Sequence, residues 1–119
     1  MLESLPASDG NLVCFRAVGT LTEEDYAEVF IPVMTDVLTR YQMFRLYVDL
    51  SRLLGWDETS SWETGAVLHS NLRKFERAAI VGGLSWAGLA LVLRDSLPPG
   101  TYEFFTDGNQ KRALTWVAG

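Results

Sequence analysis

Apolar residues along this chain fall into dense short runs that alternate with stripes at helical spacing. The first run, Leu2 to Leu5, reads as a short strand stopped by Pro6. Ser8-Asp9-Gly10-Asn11 is turn chemistry, because these residues tolerate the backbone angles of a reversal. Leu12 to Val18 is apolar at almost every position, as a strand buried on both faces would be. These two runs predict an opening β-hairpin. Thr22 then opens a helix, with Asp25 three residues later completing a capping-box-like pair. Glu23, Glu24 and Asp25 suit the positive end of the helix dipole. Tyr26, Val29, Phe30, Val33, Val37 and Tyr41 form its buried stripe. Pro32 interrupts that stripe and predicts a kink, since it removes one backbone donor.

Phe44 to Leu50 is the next predicted strand, ending near Asp49, and a loop with Gly55, Trp56 and Asp57 follows. Ser60 with Glu63 forms a second capping pair that leads a helix to about Phe75, with Trp62, Ala66, Leu68, Leu72 and Phe75 apolar. Ala78 to Val81 is a short buried strand ended by Gly82-Gly83. Ser85 caps a third helix running to about Asp95, and Pro98-Pro99-Gly100 forces a turn. Thr101 to Phe105 is the last strand, and Asp107 with Gln110 caps a final helix whose Ala113, Leu114 and Val117 face inward. The order β-β-α-β-α-β-α-β-α, with no repeat or linker, predicts a single α/β domain over residues 1–119. Strands separated by helices of this length form a mainly parallel sheet, to which the hairpin adds one antiparallel strand. The expected architecture is a mixed five-stranded sheet covered by four helices.

Composition narrows the function classes. The apolar fraction of 48% in 119 residues supports a core without disulfide or metal staples. A net charge of −5 argues against nucleic acid, which needs clustered Lys and Arg, and against charge-driven adsorption to anionic membranes. Cys14 is the only cysteine and His69 the only histidine, so one chain cannot assemble a Cys/His zinc site or an internal disulfide. The N-terminus lacks a basic segment followed by an apolar run. The apolar stretch Trp86 to Leu93 is far shorter than the ~20 residues that span a bilayer. A cytoplasmic location is the default expectation.

Candidate chemistry is sparse. Asp49 and Asp57 fall near predicted strand ends, where open parallel sheets bind ligands. Two carboxylates there serve either as an acid and base pair or as ionised turn caps. The second reading is preferred because no nucleophile, base or metal set accompanies them. His69 beside an apolar stripe reads as a packing residue, and Cys14 between Val13 and Phe15 as a core residue. Gly82-Gly83 before a helix reads as a tight turn, since no phosphate-binding glycine motif surrounds it. The expectation is a protein that is not an enzyme and needs no cofactor or metal.

Several segments taken together are familiar: Gly19-x-Leu21-Thr22-x-Glu24-Asp25-Tyr26, Val48-Asp49-Leu50, Trp56, Phe75-Glu76-Arg77-x-Ala79-x-Val81-Gly82, and Trp86 beyond the next loop. In this order and spacing the chain resembles the SpoIIAA-like family of small bacterial proteins, related in fold to STAS domains and to the Sec14/CRAL-TRIO lipid carriers. The resemblance implies a SpoIIAA-like (STAS-like) fold over nearly the whole chain. In addition, Asp49-Leu50-Ser51 followed by Asp57 resembles the stretch of anti-sigma-factor antagonists that ends in Asp-Ser-Ser-Gly. In those proteins a serine at a helix start is phosphorylated and switches partner binding. Here Glu58 and Thr59 follow Asp57 and no glycine comes next, and Thr59, Ser60 and Ser61 are the hydroxyls near a helix start.

The third predicted helix departs from those relatives, which carry several charges there. Trp86-Ala87-Gly88-Leu89-Ala90-Leu91-Val92-Leu93 is apolar around its whole circumference, so something must cover it. The choices are the core, a second copy, an apolar ligand or a membrane surface, and a homodimer through helix 85–95 is the leading expectation. Trp56, Trp62 and Trp86 bear on the same choice, since tryptophan is enriched at interfaces and apolar pockets. Trp62 and Trp86 open successive helices and rim a predicted pocket with Leu68, Phe75 and Leu89 deeper inside. Two function classes follow. One is a non-enzymatic module binding an apolar, lipid-like small molecule or docking peripherally at a membrane. The other is a STAS-type regulatory module binding a protein partner, switched by phosphorylation near Thr59.

Overall fold

In the computed structural model, residues 1–64, 71–83 and 100–119 are described. Strands β1 (Leu2–Ser4), β2 (Leu12–Leu21), β3 (Phe44–Trp56), β4 (Phe75–Gly82) and β5 (Tyr102–Thr106) lie side by side in chain order. β1 runs antiparallel to β2, and β2 to β5 are mutually parallel, which is the mixed five-stranded sheet expected. Gly10, at φ +58, supplies the left-handed residue of the β1–β2 reversal.

Three strands outrun their predicted ends. β2 continues through Leu21 and β3 through Trp56, because Gly19, Thr20 and Leu21 pair with Leu53, Gly55 and Trp56. This extension is irregular and had no clean period-2 signature. Arg16 pairs with Asp49 while Val18 pairs with Arg52, so β3 carries an extra residue there. The Asp49 carboxylate lies at that irregularity and accepts the Ser51 N–H at 2.9 Å. β4 begins at Phe75 rather than Ala78, since Phe75 pairs with Phe44.

The sheet separates two cores by simple alternation. Val13, Phe15, Ala17, Leu46, Leu50, Ala78 and Ile80 face the larger one. Cys14, Tyr47, Ala79 and Val81 face the smaller. Among the described residues, one long helical run covers the larger core: α1 (Glu23–Asp25), a π turn (Tyr26–Phe30) and α2 (Ile31–Arg40). Its Tyr26, Phe30, Met34 and Val37 are buried. The disturbance predicted at Pro32 takes the form of this π turn. Proline cannot donate to the ladder, and just upstream the Ile31 N–H reaches back five residues to the Tyr26 carbonyl.

The helix count of four needs correction. Among the described residues only Ile31–Arg40 and Gln110–Ala118 are helices of more than two turns. The predicted second helix is described only at its start, α3 (Ser61–Thr64), and it does not reach Phe75. Residues Leu72–Lys74 form a 3-10 turn and Phe75 belongs to β4, where parallel pairing outweighs the helical spacing of its apolar residues. The predicted third helix, 85–95, lies outside the described residues, as do Leu68, His69, Trp86 and Leu89.

The last helix, α4 (Gln110–Ala118), packs Ala113 and Val117 on the smaller core. Its start differs in detail from the predicted cap. Asn109 holds the capping position without a side-chain cap bond. Asp107 instead accepts the Gln110 side-chain N–H at 2.7 Å, and the Gln110 side-chain oxygen (Oε1) accepts the Gly108 N–H at 2.9 Å. At its far end, Arg45 donates to the Val117 carbonyl at 2.8 Å and Arg77 to the Trp116 carbonyl at 2.6 Å. Two guanidinium groups thus satisfy the free carbonyls at the negative end of the helix dipole.

Candidate functional site

The residues that sequence reasoning singled out gather mainly past the carboxyl ends of β2 and β3. The capping box at Thr22 is formed: Asp25 donates its N–H to the Thr22 hydroxyl at 3.3 Å, and its carboxylate accepts the Thr22 N–H at 2.9 Å. Asp25 also receives the Leu2 N–H and stands 3.4 Å from the N-terminal ammonium. Partial burial by itself raises its carboxyl pKa. The N–H and hydroxyl of Thr22, the ammonium charge and the Leu2 N–H together outweigh burial, so the net shift is downward.

The loop after β3 is laced to this cap. The Asp57 N–H donates to the Leu21 carbonyl at 2.9 Å. The Asp57 carboxylate accepts the Thr59 N–H at 3.0 Å and the Thr59 hydroxyl at 2.8 Å, which together hold its pKa below the usual carboxylate range. Ser60 is buried and its hydroxyl donates to the Asp57 carbonyl. Ser61 donates its N–H at 2.6 Å and its hydroxyl at 2.7 Å to Glu23. These two bonds lower the Glu23 pKa, against a smaller opposing push from Asp57. Glu23 therefore caps α3 from another element, a role no local spacing announces.

Trp62 is the central aromatic. Its indole N–H donates to the Thr22 carbonyl at 2.7 Å. Its ring stands edge-on to Tyr26, with centroids 4.9 Å apart and planes at 89°, and lies 5.1 Å from Phe30. Tyr26 and Phe30 are the two ends of the π turn and lie 5.4 Å from each other. Trp56 packs against the same core. Phe75 is elsewhere: it pairs with Phe44 at the amino end of the sheet, their rings 4.5 Å apart. At about 3.3 Å per strand residue, Phe44 to Leu50 alone covers roughly 20 Å. The fold thus unites Trp56 and Trp62 at one end and sets Phe75 at the other.

Asp49 and Asp57 are likewise not brought together. Asp49 is buried on the face of the smaller core, tied to Ser51 and 3.9 Å from Arg16, whereas Asp57 follows the end of β3. Asp49 accepts a backbone N–H within the β3 irregularity, and Asp57 accepts two bonds in the loop that follows β3. Cys14 is fully buried, and burial pushes its thiol pKa up to about 11, so it is a core residue without nucleophilic character at neutral pH. No cluster of three or more His, Cys, Asp or Glu that could hold a metal occurs among the described residues. No described helix is long and apolar enough to cross a membrane.

A concavity of about 400 Å³ opens at the amino end of the sheet, lined by Ala7, Asp9, Asn11, Leu12, Arg45, Glu76 and Ala118. It is polar, and two of its three charged residues are already partners, since Arg45 pairs with Glu76, while Asp9 is the third. Sequence reasoning also passed over Trp116. It packs 6.0 Å from Phe105 under the Arg77 guanidinium, which sits 5.3 Å from its ring centre. Its spacing on the last helix, one residue off the inward stripe, was the available signal.

An open, sequentially ordered sheet with one antiparallel edge strand, helices on both faces and a capped loop at its carboxyl end defines a STAS-like α/β module. The family model described as SpoIIAA-like matches residues 12–118, and the chain belongs to that family. It is similar to the crystal structure of an uncharacterised protein of the DUF3478 family with a SpoIIAA-like fold from Shewanella loihica. The two share 27% identity and a TM-score of 0.75, over 98% of this chain and 92% of that one. No match is found among curated protein sequences.

Proposed function

We propose that this SpoIIAA-like chain is a non-enzymatic binding module that takes up an apolar, lipid-like molecule at the carboxyl end of its sheet. The observation that supports the reading is the three-ring cluster of Tyr26, Phe30 and Trp62, gathered where open parallel sheets receive ligands. Trp56 packs against the same core, and Leu68, Trp86 and Leu89 are proposed as further lining from the sequence alone. Native mass spectrometry of freshly purified protein, followed by organic extraction, tests this. A stoichiometric apolar molecule released on denaturation is the expected result. A bare chain from several expression hosts would sink the proposal.

A second reading, a STAS-type regulatory module for a protein partner, draws on the Asp57–Ser61 loop. Of its three hydroxyls, those of Ser60 and Ser61 are poorly suited to modification. Ser60 is buried, and Ser61 donates to Glu23, where a phosphate would meet a carboxylate. Thr59 is the exposed one of the three, and its hydroxyl donates to the Asp57 carboxylate, so a phosphate there would break that bond and push the loop away from Asp57. Under this reading Thr59→Glu changes the set of proteins captured in an affinity pull-down. An unchanged set argues against it.

A further inference from the structure

Tyr102 opens β5 at the far edge of the sheet, and it packs on the larger core beside Phe104. In register it stands across from Ala78, and Phe104 stands across from Ile80. Tyr102 as a whole is only partly buried, yet its hydroxyl oxygen is shut off from solvent. That oxygen has no hydrogen-bond partner among the described residues, and no other buried side-chain polar atom among them is in this condition. Burial drives the phenol pKa upward, and no charged group among the described residues contributes. A buried hydroxyl left unbonded forfeits the hydration it had in the unfolded chain, and native proteins seldom tolerate the loss. Phenylalanine, which β5 carries two residues later on the same face, would pack there without that cost.

From this orphaned hydroxyl we infer that Tyr102 is the polar anchor of the ligand site: its O–H donates to one uncharged oxygen, a carbonyl or hydroxyl, on an otherwise hydrocarbon molecule. The assignment rests on the apolar-ligand reading above and narrows it to a ligand class. A buried water typically bonds about three polar groups. The side chains that share this part of the face, Leu46, Ala78, Ile80 and Phe104, offer only carbon. A ligand whose remaining surface is apolar needs only the one bond. An anionic headgroup would demand a buried counter-charge, and no described residue brings one to bear on the Tyr102 phenol. A neutral oxygen makes no such demand. The position suits a long chain. Phe104, Ile80, Val48 and Phe15 stand in one row across β5, β4, β3 and β2, and the Phe15 ring lies 5.6 Å from Phe30. Three strand spacings are roughly 14 Å, so an alkyl tail anchored at Tyr102 reaches the cluster of Tyr26, Phe30 and Trp62.

The test uses the full chain and the fluorescent probe N-phenyl-1-naphthylamine, which carries no oxygen, in competition with methyl undecyl ketone or laurate. The wild type is expected to bind the ketone about tenfold more tightly than laurate, whose charge the site does not offset. Tyr102→Phe is expected to weaken the ketone about fivefold and leave the probe unchanged, since only one hydrogen bond is lost. The infrared carbonyl stretch of the bound ketone is expected at lower frequency in the wild type than in Tyr102→Phe. Without ligand, Tyr102→Phe is expected to keep or raise the urea midpoint, because it removes an unbonded hydroxyl. A lowered midpoint identifies a structural water as the partner and overturns the anchor. Equal ketone affinity in the two chains overturns it too, as does tighter binding of laurate or a ketone that cannot displace a bound probe. Each of these leaves an apolar site in the chain. Failure of both ketone and probe to bind the wild type overturns the anchor and the apolar-ligand reading together.

Discussion

Glu23 shows how much one residue's role depends on where the chain returns. In the sequence it is one of three acidic residues opening a helix, a position explained by the dipole alone. In the fold its carboxylate is committed to Ser61, 38 residues onward. Glu23→Ala is expected to speed hydrogen exchange at the Ser61 amide while leaving the far end of the sheet unchanged, which amide exchange by NMR reads directly. Acid should act in the same direction. Glu23 and Asp25 both titrate lower in the folded chain, so the stability they contribute is complete above their ordinary values of 4.5 and 3.8. It is lost as pH falls through the lower folded values. The Trp62 indole N–H resonance is expected to broaden on acidification through that window, and a signal unchanged down to pH 2 would contradict the account.

Among the elements, the first helical run was legible because its determinants are local. The capping box, the buried stripe and the break at Pro32 all lie within 20 residues of one another. The last helix was legible as a helix but not in its anchoring. Arg45 and Arg77 come from strands 72 and 39 residues away from the carbonyls they cap, a separation no periodicity encodes. Arg77 also covers Trp116, so Arg77→Ala removes a charged hydrogen bond and a stacking contact together. A loss of about 2 kcal/mol in urea unfolding is expected. Arg77→Lys recovers only part of it, since a lysine cannot both reach the carbonyl and stack flat on the ring.

For the whole molecule, the unanswered demand of the sequence is the run Trp86–Leu93, which contains no charged residue. The run lies outside the described residues; as the all-apolar helix that its sequence predicts it needs a cover, and we propose a second copy of the chain. Sedimentation velocity is expected to show a dimer for the wild type and a folded monomer for Leu91→Glu. A wild-type monomer at tens of micromolar would remove the dimer.

What the sequence determined by itself was the kind of object: one α/β sheet with an antiparallel opening strand, the cap at Thr22, and the inward Ala113 and Val117 of the last helix. These follow from short-range rules, since hydrophobic period, capping chemistry and turn residues act within a few positions. The tertiary structure alone decided that Phe75 begins a strand, because the ladder to Phe44 outweighs a helical spacing that a single face would satisfy. Only pairing across strands could carry β3 through Trp56, over an irregularity that hides the alternation. It also decided which aromatics meet. Trp62 and Phe75, grouped by sequence spacing, stand at opposite ends of the sheet, while Trp62 and the π turn's Tyr26 and Phe30, far apart in the chain, form one aromatic cluster. Side-chain convergence is set by how elements pack, and packing is a property of the whole chain rather than of any window along it.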